Sequence, residues 1–243
     1  MKTATECDHC KTGPATCQAE QKCQAAVLTD EQYRALQYVF ADGYDTTAYL
    51  VTSEKDCSLE VRALAIGGGG EGGPRYQYLG GGGSGYPEFA MLELRSNESL
   101  DLKVGGSRMT SSIERDGEVL LIAAPGQSND GFNGGNGYSG GGAGTASENI
   151  VGQDGGFDGG DGEDYNSYEG GKGSGLDVQT INMTRFVLTP GKGGKSSDGY
   201  GGGRGGILVN GKNPSDYEYI GQGYGGGSYY DDYGQQGCVL LEV

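Results

Sequence analysis

Six cysteines and one histidine are the residues best equipped for chemistry in this 243-residue chain. Cys7, Cys10, Cys17 and Cys23 cluster near the start, with His9 inside the Cys7-x-x-Cys10 pair, while Cys57 and Cys238 stand apart. An even count at irregular spacing reads as a set of disulfides whose pairing the spacing does not reveal. Cys7 and Cys10 also fit half of a zinc site, but Cys17 and Cys23 sit at an odd spacing for the second half. Disulfides are the preferred reading, and they belong to an oxidising compartment. Two sequons, Asn97-Glu98-Ser99 and Asn182-Met183-Thr184, agree with a secreted, glycosylated protein.

Other patterns that resemble chemistry are weaker. Asp154, Asp158, Asp161, Glu163, Asp164 and Glu169 form an acidic stretch spaced by glycine. Hard oxygen ligands on flexible backbone suit Ca²⁺, with Asp158, Asp161 and Asp164 as the candidates. A single copy of the pattern favours a solvated acidic loop instead. Gly67-x-Gly69-x-x-Gly72 mimics a dinucleotide fingerprint, but Pro74 and the Tyr76-Gln-Tyr78 run deny it the helix it needs. Gly194-Lys195-Ser196 resembles the end of a P-loop, yet Thr189 stands where its first glycine belongs. No nucleophile–base–acid set accompanies the lone histidine. The expectation is a protein that is not an enzyme and uses no cofactor, Ca²⁺ being the one candidate ion.

Composition narrows the partners. Lys and Arg number 17 against 33 Asp and Glu, a net charge of -16. A nucleic-acid surface needs a basic stripe that releases counterions, which is missing. The same acidity argues against anionic membranes, and no apolar run is long enough for a spanning helix. Met1-Lys2-Thr3-Ala4 has no apolar signal core, so secretion implies a signal peptide already removed.

Glycine dominates, with 52 residues, and 47 of them fall in three tracts: 67–86, 126–175 and 191–237. Tyrosine follows with 17, against 5 Phe and no Trp. The elements that must hold these tracts are strands. Segments 48–52, 58–66, 89–95, 99–104, 118–124, 185–189, 206–210 and 238–243 are apolar or alternate polar with apolar between turn residues. Thr29 to Phe40 reads as a short capped helix with Tyr33, Leu36 and Phe40 on one face. Each glycine tract is entered from a strand or leaves into one. Ile66 runs into Gly67-Gly68-Gly69-Gly70, and Gly237 into Cys238-Val239-Leu240.

The tracts share a unit. Asn136-Gly-Tyr138-Ser-Gly-Gly-Gly142, Asp198-Gly-Tyr200-Gly-Gly-Gly203 and Gln222-Gly-Tyr224-Gly-Gly-Gly227 are close copies. Repeated units imply elements that stack. Oligoglycine adopts a left-handed helix of three residues per turn with no internal hydrogen bonds. Its amides and carbonyls must therefore bond to neighbouring segments. Tyr138, Tyr200 and Tyr224 would cover the edge of such a bundle, while Tyr229-Tyr230-Asp-Asp-Tyr233 and Tyr165-x-x-Tyr168 read equally as binding or cross-linking surfaces or as further cover for the bundle. The fold expected is mainly β: an antiparallel β-sandwich of jelly-roll or TNF-like type interleaved with polyglycine II helices. Residues 1–40 form a cysteine-rich segment with the short helix, and residues 41–243 the sandwich with its glycine insertions.

Residues 58–243 also resemble a known family. Leu-Ala-Ile-Gly-Gly-Gly-Gly (64–70), Val-Leu-Leu-Ile-Ala-Ala-Pro-Gly (119–126), Asp-Gly-Tyr-Gly-Gly-Gly-Arg-Gly-Gly-Ile-Leu-Val-Asn-Gly (198–211) and Tyr-Ile-Gly-Gln-Gly-Tyr-Gly-Gly-Gly (219–227) carry the resemblance, with the closing Gly-Cys-Val-Leu-Leu-Glu-Val. They look like the extracellular glycine-rich region of anaplastic-lymphoma-kinase-type receptors, and like secreted glycine-rich proteins of aquatic invertebrates. The resemblance implies a β-sandwich interleaved with polyglycine helices. In the receptors that region helps bind a protein ligand. This sequence has no kinase domain, so signalling does not carry over, and the cysteine-rich start lies outside the pattern. The function expected is a secreted structural subunit that associates with itself into a fibre or matrix. The alternative is a recognition module that binds a protein or glycan through its polyglycine and tyrosine surface.

Overall fold

The computed structural model describes residues 23–29, 32–34, 38–43, 46–52, 58–73, 80–95, 98–129, 135, 137, 145–147, 150–151, 181, 183–193, 203, 205–215, 222–228 and 233–242. Among them the regular structure is all strand and mainly β. In chain order the strands are β1 (Cys23–Thr29), β2 (Gln32–Arg34), β3 (Tyr38–Ala41), β4 (Thr46–Thr52), β5 (Ser58–Ile66), β6 (Pro87–Arg95) and β7 (Ser99–Lys103). There follow β8 (Ser111–Arg115), β9 (Glu118–Ala123), β10 (Thr145–Ser147), β11 (Ile150–Val151), β12 (Leu188–Pro190), β13 (Ile207–Val209) and β14 (Cys238–Glu242). One sheet runs β2-β1-β4-β7-β8-β9 and a second runs β3-β14-β5-β6, with two-stranded ladders β10-β11 and β12-β13. Every described pairing is antiparallel.

The helix expected over 29–40 is not formed among the described residues of that span, which are strand. Thr29 pairs with Gln32, and Tyr38–Ala41 pairs with β14 across Glu242 to Val239. Val39 and the aromatic Tyr38 and Phe40 suit a pleated surface better than a short helix, and tertiary pairing outweighs weak helix propensity.

In the sheet built on β14, that strand and the end of β5 are buried on both faces. Val61, Ala63, Ala65, Val239 and Leu241 join Leu100, Leu102, Ile113 and Ala123 of the other sheet in one apolar cluster. The alternate residues Leu64, Ile66, Cys238 and Leu240 join Phe186, Ile207, Val209 and Tyr224 in a second. Two covered faces explain why β14 reads as an apolar run rather than an alternation. Two hairpins turn on left-handed pairs: Asp116 and Gly117 (φ 48° and 83°) between β8 and β9, and Asn210 and Gly211 (φ 52° and 72°) after β13. Such Asp-Gly and Asn-Gly pairs match the twist of the flanking strands.

The glycines leave β5 directly and bond in a period of three. The amides of Gly67, Gly70 and Gly73 donate to the carbonyls of Tyr86, Gly83 and Gly80 at 3.1, 2.8 and 3.2 Å. The two amides between the first pair turn elsewhere, Gly68 to Met109 (2.9 Å) and Gly69 to Gln235 (2.8 Å). The return segment repeats the rule: Gly82 and Gly85 donate to Ser228 and Gly225, while Gly83 and Tyr86 donate to Gln127 and Ala124. A second group joins Gly191 to Gly206, Gly206 to Gln222, and Gln222 back to Lys192.

Such approach leaves no room for a side chain. A Cβ added at Gly68 would lie 1.8 Å from the Gly106 carbonyl oxygen, and one at Gly67 would lie 2.1 Å from that of Ala124. Both obstacles are backbone, which cannot rotate aside. Gly106 itself differs: its Cβ would meet only the Met109 sulfur, at 3.7 Å. Gly68→Ala is therefore expected to cost about 3 kcal/mol, as overpacking against fixed atoms does. That lowers Tm by roughly 6–12 °C for a chain of this size. Gly106→Ala should stay within about 0.5 kcal/mol of the parent. Thermal unfolding of the two variants side by side checks the contrast.

Candidate functional site

Among the described residues, a group of polar and aromatic side chains gathers on Asp42, just beyond β3. The Tyr224 hydroxyl donates to Asp42 Oδ2 at 3.1 Å, and Lys212 Nζ donates to the same oxygen. Gln236 Nε2 donates to the Asp42 carbonyl at 2.5 Å. Phe40 lies beneath, edge to face with Tyr224 (5.5 Å, 80°) and Phe186 (6.1 Å, 68°), and Lys212 Nζ stands 5.1 Å from its ring centre. Five parts of the chain meet there: the end of β3, the segment of Phe186, the turn after β13, the glycine tract around 224, and the approach to β14.

Burial governs the electrostatics of this group. Burial, followed by the nearby Asp42 carboxylate, pushes the Tyr224 hydroxyl well above the usual phenol range. Burial likewise drives the Cys238 thiol up, with Asp42 adding to it and Lys212 opposing. Both stay protonated at neutral pH, so neither offers a nucleophile. What remains is a lysine–carboxylate pair, a buried phenol bonded to the same carboxylate, and rings packed edge to face.

A second polar knot sits on β14. Glu242 pairs in register with Arg62 of β5, whose Nη1 donates to it at 3.0 Å. The Thr184 amide donates to both carboxylate oxygens (2.9 and 2.8 Å), the Arg185 amide donates at 2.5 Å, and the Thr184 hydroxyl donates as well. The carboxylate has no exposed surface. Burial raises its pKa, but the hydrogen bonds from Thr184, Arg185 and Arg62 outweigh that and leave it below the ordinary value.

Serine hydroxyls pin the glycine segments. Ser111 Oγ donates to the Ile66 carbonyl (2.7 Å) and accepts from the Gly105 amide (3.0 Å). Ser107 Oγ donates to the Gly69 carbonyl and accepts from the Gly234 amide, and Ser228 Oγ accepts from Gly72. These pins, Asp42 and Glu242 have no local sequence signal, because their partners are far away in the chain.

Tyr224 was expected at the surface, and the structure corrects this. It is fully buried in the second apolar cluster, because its backbone bonds Ile207 in both directions and turns the ring inward toward Phe40. Cys238 was expected in a disulfide. Its thiol is free and buried, since its place on β14 points it among aliphatic and aromatic side chains. Cys23 opens β1, where only the backbone is described. Cys7, His9, Cys10, Cys17, Cys57, Asn97, Asn182, Asp158, Asp161, Asp164, Tyr138, Tyr200, Tyr229 and Tyr230 lie outside the described residues. Among the described residues no three His, Cys, Asp or Glu side chains gather as metal ligands, and no helix is long and apolar enough to cross a membrane. No family model, curated protein or solved structure matches the chain.

Glu242 supplies a pH test. A carboxyl whose folded pKa lies below its unfolded value, about 4.3, stabilises above that value and loses its effect as pH falls through the folded one. Glu242→Gln leaves buried donors facing an amide and should cost about 3 kcal/mol at neutral pH. The gap to the parent is expected to close as the pH of a urea titration is taken down through the acid range.

Proposed function

We propose that this chain is a non-enzymatic secreted structural protein that assembles with copies of itself into an extracellular fibre or matrix. In this reading it is a β-sandwich whose glycine segments are polyglycine II helices. The observation that carries the reading is the period of three in the glycine hydrogen bonds, with successive amides bonding to separate segments. Three residues per turn and outward-pointing amides define the polyglycine helix, and a bundle of such helices is stiff because every link is backbone to backbone. The chemically capable residues support a mechanical role too. Tyr224 and Cys238 are buried and held protonated, and Asp42 and Glu242 join distant segments. The resemblance to secreted glycine-rich proteins points the same way.

Charge sets the conditions for assembly. At -16 per chain, copies repel one another, and the repulsion is screened over about 10 Å at 0.1 M salt. Light scattering and electron microscopy of the purified full chain should show elongated particles that grow with protein concentration and with ionic strength. A monodisperse monomer at high concentration in physiological salt would overturn the reading.

A further inference from the structure

Tyr233 has the most exposed of the large apolar side chains among the described residues, at 72%. The backbone beneath it is fixed. The next amide, Gly234, donates to Ser107 Oγ at 2.9 Å. Gln235 donates to Gly226, and its carbonyl accepts from Gly69. A Cβ at Gly234 would lie 2.5 Å from the Gly69 carbonyl carbon and oxygen. A bare phenol thus stands on rigid glycine backbone. Tyr224 is the opposite case, with no exposed surface and its hydroxyl bonded to Asp42.

We infer that Tyr233 is a covalent cross-linking site, coupling through its ring to Tyr233 of a second copy of the chain when a peroxide acts through a haem peroxidase. The chain has no tryptophan, so tyrosine is its most oxidisable ring. The described cysteine thiol, Cys238, is buried out of reach. Copies bearing -16 each repel, and a covalent bond holds them where screened contacts are weak. The held backbone helps as well, because only the side chain of Tyr233 has freedom left to lose on meeting its counterpart.

The step balances. Each phenol gives one hydrogen atom, an electron and a proton, to the peroxidase. Two phenoxyl radicals join by a carbon–carbon bond ortho to their oxygens. The ring hydrogens at the new bond pass to the oxygens and restore two phenols. The two hydrogen atoms removed reduce one hydrogen peroxide to two waters.

This inference rests on the assembly reading, and the experiment separates the two. Purified full chain is first sized by light scattering, then treated with horseradish peroxidase and hydrogen peroxide. The expected result is a dimer that survives denaturing electrophoresis, blue dityrosine fluorescence, and a linked peptide that contains Tyr233 from both chains. Tyr233→Phe should lose the dimer while keeping the parental Tm, and Tyr224→Phe should keep it. A parent that forms no covalent dimer, a Tyr233→Phe variant that dimerises as the parent does, or a linkage mapped to other tyrosines overturns the inference. A Tyr233-linked dimer from a chain that scatters as a monomer before oxidation supports the cross-link and counts against the assembly reading alone.

Discussion

Backbone can bond to backbone from several sides only where no Cβ intervenes, and the rest of this molecule is arranged around that constraint. Gly67 to Gly70 are four successive residues, each bonded to a different segment or a different point on one. A side chain at any of them would fall on a carbonyl group. Glycine is also the residue that loses most freedom when ordered, at a backbone cost of roughly 1–2 kcal/mol per residue. Isolated glycine segments would not hold this geometry. They hold it here because β5 delivers the first tract, β14 receives the last, and the amides find partners on all sides.

The strands and side-chain knots fasten the network at its ends. β14 lies between β3 and β5 in its sheet and has apolar clusters on both faces. The residues just before it, Gln235 to Gly237, bond to Gly226, Gly69 and Gly105. Asp42 ties the end of β3 to the tract around Tyr224, and Glu242 ties β14 to β5 and to the Thr184 segment. Most of these links span large stretches of sequence. Closing each of these long loops costs entropy that the contacts must offset.

Much of the β content was legible in the sequence, for physical reasons that particular residues show. Segments 58–66 and 238–243 carry aliphatic residues bounded by glycine, and they became β5 and β14. Ser111–Arg115 was missed because it holds a single aliphatic residue, Ile113, although the Asp116-Gly117 pair marked its hairpin with β9. The expected helix over 29–40 failed because local propensity is weak beside pairing with β14. The way strands bracket the first tract marked it as ordered, and its described glycines, 67–73 and 80–85, bond to neighbouring segments. The role of Tyr224 was not. Its partner Asp42 is 182 residues away, and nothing local distinguishes a tyrosine that covers an edge from one that turns inward. The same distance hid Glu242, whose partners belong to β5 and to residues 184–185.

The central claim is that the glycine amides are held in structure as firmly as those of the sheets. Hydrogen–deuterium exchange resolved by residue tests it most directly. Gly67, Gly68, Gly69, Gly70, Gly82, Gly83 and Gly85 should exchange as slowly as the amides of β5 and β14, and should lose protection together with them as denaturant is added. Exchange of these glycines at the rate of an unstructured chain, with the sheet amides still protected, would contradict the account.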